Sequence, residues 1–262
     1  MAFWIIGLRG KGNTMSTKTV IAGIDKAVHD FAKHNLMLNE PLTKGRAHTF
    51  VMQHRLNTRQ RNSVLKLRVA TNTPEWDVKI DILEACVEEL VSDAEHGDGR
   101  PHWKVLEDLG VDCGMKRAQI KSAKPLPSTR MCWRAWDGLM SNRHWLLGLM
   151  GNTCAERANV PGYGSGELKK KGWFGLENRR WGEMFNLTPE QRLFFGMHSE
   201  ADIVHSDLGW KTVAQHASKL RMEDEVVDAC EENLIVWNHY LNGIAEAGDV
   251  LDKKMGWRKK VG

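Results

Sequence analysis

Apolar positions recur along most of this chain at three- and four-residue spacings, and alternating β-branched runs are nearly absent. The pattern predicts helices almost throughout and no parallel sheet. Val20, Ile21, Ile24, Val28 and Phe31 mark the buried side of a helix from Thr17 to about Asn35, and another is expected from about Thr43 to Leu56. Thr73-Pro74-Glu75 reads as a helix start, a capping residue followed by proline at the first helical position. The helix it opens carries Val78, Ile82, Ala85, Cys86 and Glu89 on one stripe and should fade near Gly97-Asp98-Gly99. Pro101-His102 opens the next helix, which closes at Gly110. Prolines make Lys124 to Pro127 a linker, and helical periodicity returns from Ser128 to about Asn159. Glycine and lysine crowd the stretch from Val160 to Trp181, which is expected as a long loop of the kind that often serves as a lid. Thr188-Pro189-Glu190-Gln191 is a capping box with proline at the first position. Its helix should pass Phe194, His198, Asp202 and His205 and end near Gly209. A last helix runs from Glu223 to about Ala247 and stops at Gly248. No internal repeat or second domain is evident, so the expected organisation is one helical domain over residues 16–262 behind a flexible N-terminal extension of residues 1–15.

Composition narrows the function classes. A chain of 262 residues with 42% hydrophobic residues can bury a sizeable core. The net charge of +4 comes from 37 basic against 33 acidic residues spread over the whole chain, which does not point to nucleic acid. The most basic stretch, Arg46 to Arg68 with Arg55, Arg59, Arg61 and Lys66 between, has few aromatics and reads as a solvated helix face. The short apolar run Ala2–Leu8 has neither the flanks of a secretion signal nor the length of a membrane span. Five scattered cysteines without a C-x-x-C pair fit a reducing cytoplasm.

One constellation carries chemistry. His198, Asp202 and His205 stand at i, i+4 and i+7, which a helix brings to one face, and imidazole with carboxylate is a ligand set for iron, manganese or zinc. Phe194, Phe195, Met197, Ile203 and Val204 make that helix apolar around most of its circumference, so these polar groups need partners, either a metal or a buried His–Asp hydrogen bond.

The H-x-x-x-D-x-x-H helix, an earlier Glu-Glu, His102 in Pro-His-Trp-x-x-Leu-x-x-Leu-Gly and the isolated Glu156 together resemble the haem-oxygenase-like di-iron oxidase family, in the order of its ligands, over about Pro74 to Gly209. The resemblance implies an all-α, compact seven-helix bundle with a central metal site of two Fe(II) ions. By the family pattern Glu89, His102, Glu156, His198, Asp202 and His205 would be the ligands. Glu89 is preferred because it shares a stripe with Ile82 and Cys86, with Glu95 and Glu88 as alternatives. The bland readings are a salt bridge for Glu156, with a neighbour such as Arg157, and a helix-start cap for His102.

The family activity implied is O2-dependent oxidation of a small carboxylate substrate, an amino acid or a fatty acid, by carbon–carbon cleavage, desaturation or N-oxygenation. An external electron donor and a homodimer are compatible with it; nucleic acid and membrane are not expected as partners. Arg134, Arg157 and Lys124 are candidate anchors for the carboxylate, and the abundant tryptophans are core residues by default. Competing readings are a metal-independent thiaminase-like hydrolase of the same fold using Cys132 or Cys154, a zinc hydrolase, and a non-enzymatic helical protein whose Arg46–Arg68 face binds an acidic partner.

Overall fold

The computed structural model describes residues 17–262 and, within them, every side chain except those of residues 152 and 200–209. The expected N-terminal extension and its apolar run therefore lie outside the described residues. The helices are α1 (Thr17–His34), α2 (Leu36–Asn39), α3 (Lys44–Arg59), α4 (Lys66–Asn72), α5 (Trp76–Leu90), α6 (His102–Asp112), α7 (Arg117–Ser122), α8 (Pro127–Ser141), α9 (Trp145–Thr153), α10 (Gly166–Phe185), α11 (Leu193–Leu220) and α12 (Glu223–Met255). A two-residue strand β1 (Leu42–Thr43) pairs antiparallel with β2 (Lys260–Val261), Leu42 opposite Val261. The all-α expectation holds, and among the described residues no helix is long and apolar enough to cross a membrane.

α12 is the central post, packed by α1, α3, α8 and α9. It meets α3 at very close range: a Cβ added to Gly45 would lie 2.1 Å from the Gly248 carbonyl oxygen, and one added to Gly248 would lie 2.5 Å from the Arg46 Cα. Gly248 is therefore a contact point inside α12 and not its end; the helix continues to Met255. The Gly45 N–H donates to Asp252 Oδ1 at 2.7 Å across the same crossing. Around this pair Phe50, Trp136, Trp181, Phe194, Phe195 and Tyr240 are almost wholly buried, each worth several kcal/mol of packing on the scale of aromatic-to-alanine losses of about 3–5 kcal/mol.

The structure departs from the sequence pattern in several places. Thr73 does not cap α5; it ends α4, its hydroxyl donating back to the Val69 carbonyl at 2.7 Å, and α5 starts at Trp76. The helix expected from Ser128 to Asn159 is divided. The chain turns at Asn142–His144, where the His144 side chain accepts from the Leu146 N–H, and α9 folds back so that Gly148 lies against the Met140 carbonyl. A 3-10 turn over Glu156–Asn159 follows. The glycine-rich stretch expected as a loop is largely α10, because Leu168, Trp173, Phe174, Leu176 and Trp181 supply a buried apolar face that outweighs its glycines. Gly172 kinks it with φ 71°, and a Cβ there would meet the Asn159 carbonyl oxygen at 2.0 Å. The capping box at Thr188 forms reciprocally with Gln191, and the helix beyond it runs past Gly209 to Leu220.

The basic stretch is mostly interior rather than solvated: Arg46, Arg55, Arg61 and Lys66 are buried, while Arg59 and Arg68 are exposed. Carboxylates far away in sequence explain two of these cations. Asp249 receives Arg46 bidentately at 2.7 and 2.9 Å, and Glu107 receives Arg55 Nε at 2.6 Å. Between α3 and α4 the helix widens into a π-turn over Gln60–Leu65, where the Ser63 hydroxyl lies within reach of both the Thr58 and Arg59 carbonyls at 3.0 and 2.7 Å.

Candidate metal centre

Three helices deliver the central side chains. Glu89 lies in the last turn of α5 on the same buried stripe as Val78, Ile82 and Cys86, and the Cys86 thiol ties that face to the π-turn by donating to the Ser63 carbonyl. His102 is the first residue of α6, and His198 lies one turn into α11. The imidazoles of His102 and His198 meet edge to face with centroids 4.8 Å apart, and Phe174 and Phe194 wall His198 at 5.0 and 4.6 Å.

Hydrogen bonds fix which nitrogen each histidine offers. His198 Nδ1 lies 2.7 Å from the Phe194 carbonyl, which only accepts, so Nδ1 donates and Nε2 keeps its lone pair. His102 Nε2 is held by Asp93 Oδ2 at 3.1 Å, which turns Nδ1 toward Glu89 Oε2 at 3.4 Å. That last separation is too long for a well-formed hydrogen bond, and both atoms are buried without a hydrogen-bond partner among the described residues. Two donors of the kinds that bind iron, manganese or zinc thus face one another across a gap compatible with a shared cation, with a carboxylate orienting the imidazole from behind. Glu89 Oε1 is kept in place by Asn62 Nδ2 at 3.1 Å from the π-turn.

The electrostatics follow from this packing. Burial opposes a charged His102, but Glu89 and Asp93 outweigh it and push its pKa up to about 10. Burial likewise opposes the Glu89 carboxylate, yet His102 and Lys66 hold it down at about 2, and Asp93 lies well below the usual carboxylate range because of His102 and the backbone N–H groups of the following turn. His198, by burial and by the charge on His102, is pushed down to about 3 and is neutral. A proton at His102 therefore does the neutralising that a bound cation could do.

Of the expected ligands, Glu89, His102 and His198 come together. Glu95 has a side chain 81% exposed, whereas Glu89 is buried against His102. Glu156, on the 3-10 turn, meets Lys66 Nζ at 3.6 Å, a salt bridge with a different partner from Arg157, whose Nε donates to the Tyr163 hydroxyl at 2.6 Å. The buried Lys66 ammonium is attracted by both Glu156 and Glu89 and so links that carboxylate to the centre. Asp202 and His205 lie on α11, whose backbone is helical throughout, but their side chains fall outside the described residues. Among the described residues alone, no group of three or more His, Cys, Asp or Glu side chains closes to metal-binding distances.

Asp93, Asn62 and Lys66 were not legible as site residues. Asp93 sits in the short connection closed by the Asp93–Arg100 bridge, a place with no periodicity to read. Of the expected anchors, Arg134 and Lys124 are exposed, and Arg157 is engaged with Tyr163 and Asp25 among the described residues. Two competing readings lose ground as well. Burial pushes the Cys132 thiol up to about 11, away from the thiolate a nucleophile needs, and Cys154 is fully buried. Much of the basic face that an acidic partner would use is interior.

Comparison with known proteins agrees with this architecture. The sequence matches the iron-containing redox enzyme family over residues 48–238, about three quarters of the chain. A crystal structure of a domain of unknown function with a haem oxygenase-like fold, from Shewanella denitrificans, is similar with a TM-score of 0.64 at 17% identity, covering 90% of this chain and 92% of that one. A search of curated proteins found no match.

Proposed function

Because the chain belongs to the iron-containing redox enzyme family, we propose that it is a non-haem di-iron, O2-dependent oxidase or oxygenase acting on a small carboxylate substrate, an amino acid before a fatty acid. The observation that carries the reading is the buried pair His102 Nδ1 and Glu89 Oε2, 3.4 Å apart and without a hydrogen-bond partner among the described residues, beside the neutral His198. Glu89, His102, Glu156, His198, Asp202 and His205 would hold the metal. Two ferrous ions so bound would supply the electrons for reduction of O2 and thereby the oxidising power for the substrate.

The chain's own residues prepare that chemistry. Asp93 fixes the ring of His102 and raises the basicity of Nδ1, and the Phe194 carbonyl does the same for His198. Phe174 and Phe194 exclude water from the imidazole edge. Asn62 holds one oxygen of Glu89 so that the other points inward. Lys66 balances Glu156 and Glu89 and must release Glu156 if that carboxylate is to bind a second ion.

This last contact favours a second reading, a one-iron centre in which the Lys66–Glu156 pair stays intact. Anaerobic ferrous titration of the purified protein, followed by stopped-flow mixing with O2 in the presence of amino acids and fatty acids, separates the two. Two irons per chain, lost in His198→Ala and Glu89→Ala, support the di-iron reading; one iron per chain supports the alternative. No uptake of iron by the wild type overturns both.

A further inference from the structure

We infer that Arg61, Trp237 and Asn57 form a buried subsite for the carboxylate group of the substrate. The inference rests on the reading above only in assigning that carboxylate to the substrate of the metal centre.

Arg61 is 2% exposed, and its contacts differ from those of the other buried arginines. Arg46, Arg55 and Arg180 each touch a carboxylate, at 2.7, 2.6 and 2.9 Å. Arg61 touches none among the described residues. Its Nη1 donates to Asn62 Oδ1 at 3.0 Å and its Nη2 to the Gly151 carbonyl, both neutral acceptors, while Nε finds no acceptor. The guanidinium lies over two indoles, 5.3 Å from the Trp136 ring and 4.7 Å from that of Trp237, which stabilises it without cancelling its charge. A fixed cation in such surroundings is costly unless an anion reaches it.

Two further donors in this cluster are also unsatisfied. The Trp237 indole N–H is buried with no acceptor. Asn57, four residues before Arg61, receives the Trp133 indole N–H on its Oδ1 at 2.9 Å; because indole nitrogen only donates, this fixes the amide and leaves Nδ2 as a donor, again unsatisfied. Three neighbouring residues therefore offer one positive charge and three N–H groups without acceptors. A carboxylate supplies one negative charge and several lone pairs, whereas a phosphate dianion would leave a charge buried and unbalanced. The aromatic flank of Trp136, Trp237 and Tyr240 suits an apolar body on the same molecule. Asn62, the next residue, holds Glu89, so a ligand anchored at Arg61 has its remainder beside the candidate metal centre.

The test is isothermal titration of metal-free protein with hexanoate, hexanamide and inorganic phosphate, for wild type, Trp237→Phe, Arg61→Lys and Arg61→Met, with folding checked by circular dichroism. Hexanoate is expected to bind wild type at least tenfold more tightly than hexanamide. Trp237→Phe, which keeps the ring and removes only the donor, should weaken hexanoate about tenfold, and Arg61→Met should abolish its binding. No hexanoate binding to wild type, equal binding of the amide, preference for phosphate, or affinity unchanged in Trp237→Phe overturns the proposal. Ferrous titration of the same proteins keeps the two readings apart: Trp237→Phe retains the wild-type iron stoichiometry if the subsite is separate from the ligands. Hexanoate binding by a protein that takes up no iron leaves the subsite standing and removes the metal reading.

Discussion

Along the helical run from α3 to α4, the first half sets Arg46 and Arg55 in the interior against Asp249 and Glu107, whereas the second half, past the π-turn, sets Arg61 against two indoles and a carbonyl and Lys66 between Glu156 and Glu89. Both halves bury cations at similar depth. In the first, each charge is closed by a carboxylate of the scaffold, so the pair holds α3 to α12 or to α6. In the second, donors outnumber acceptors, and the surplus lies next to Glu89, His102 and His198. The difference separates charge that locks the frame from charge kept available for something that arrives.

Breaking a scaffold pair should have the largest effect. Glu107→Gln leaves Arg55 buried without its counter-ion and removes a partner of Arg117, and it is expected to cost about 3–5 kcal/mol in urea unfolding; a loss below about 1 kcal/mol would erase the contrast between the halves. Next is His54, which faces Tyr240 and Phe50 in the same run and is pushed down to about 4 by burial. Its unfolded value is near 6.5, so the unfolded chain binds the extra proton. His54 should contribute on the order of 3 kcal/mol that is present above about pH 6.5 and lost toward pH 4; in pH-dependent denaturation His54→Gln removes this share of the acid slope and leaves that of His198. Smaller again, Asp93→Asn loosens the orientation of His102 and should weaken ferrous binding about 10- to 100-fold, measured by anaerobic titration. Least of all, Arg61→Met should change unfolding free energy by no more than about 1 kcal/mol, or raise it, since Arg61 touches no carboxylate among the described residues and Glu156 and Glu89, which attract it from farther off, keep Lys66. A loss like that of Glu107→Gln would mean that Arg61 belongs to the frame after all.

Much of the helical layout was readable because it depends on local signals. The capping box at Thr188 and the buried stripe of α5 are written within a few residues, and the stripe alone favours Glu89 over Glu95. What depends on distant partners was not readable. A run of arginines looks solvated until Asp249 and Glu107 are brought to it, and the counts of glycine in α10 conceal a buried face whose partners lie on α11. Asp93 had no pattern to betray it, because a short connection places it by its ends alone. The π-turn has no compositional signature, yet it decides which way Arg61, Asn62 and Lys66 face.

That turn also makes the length of the chain a functional variable. An α-helix rotates about 100° per residue, so a wider turn works as a phase shifter between the segments on either side. If the run closed as a regular helix with its length unchanged, Lys66, Val69 and Ala70 would rotate by roughly that angle, carrying Lys66 off Glu156 while Arg46 and Arg55 stayed in place; deleting one residue within Gln60–Leu65 would instead remove the extra residue that the wide turn accommodates and keep Lys66 in phase. The residue count between His54 and Lys66 and the width of the turn thus specify the centre together, as firmly as the side chains at its two ends.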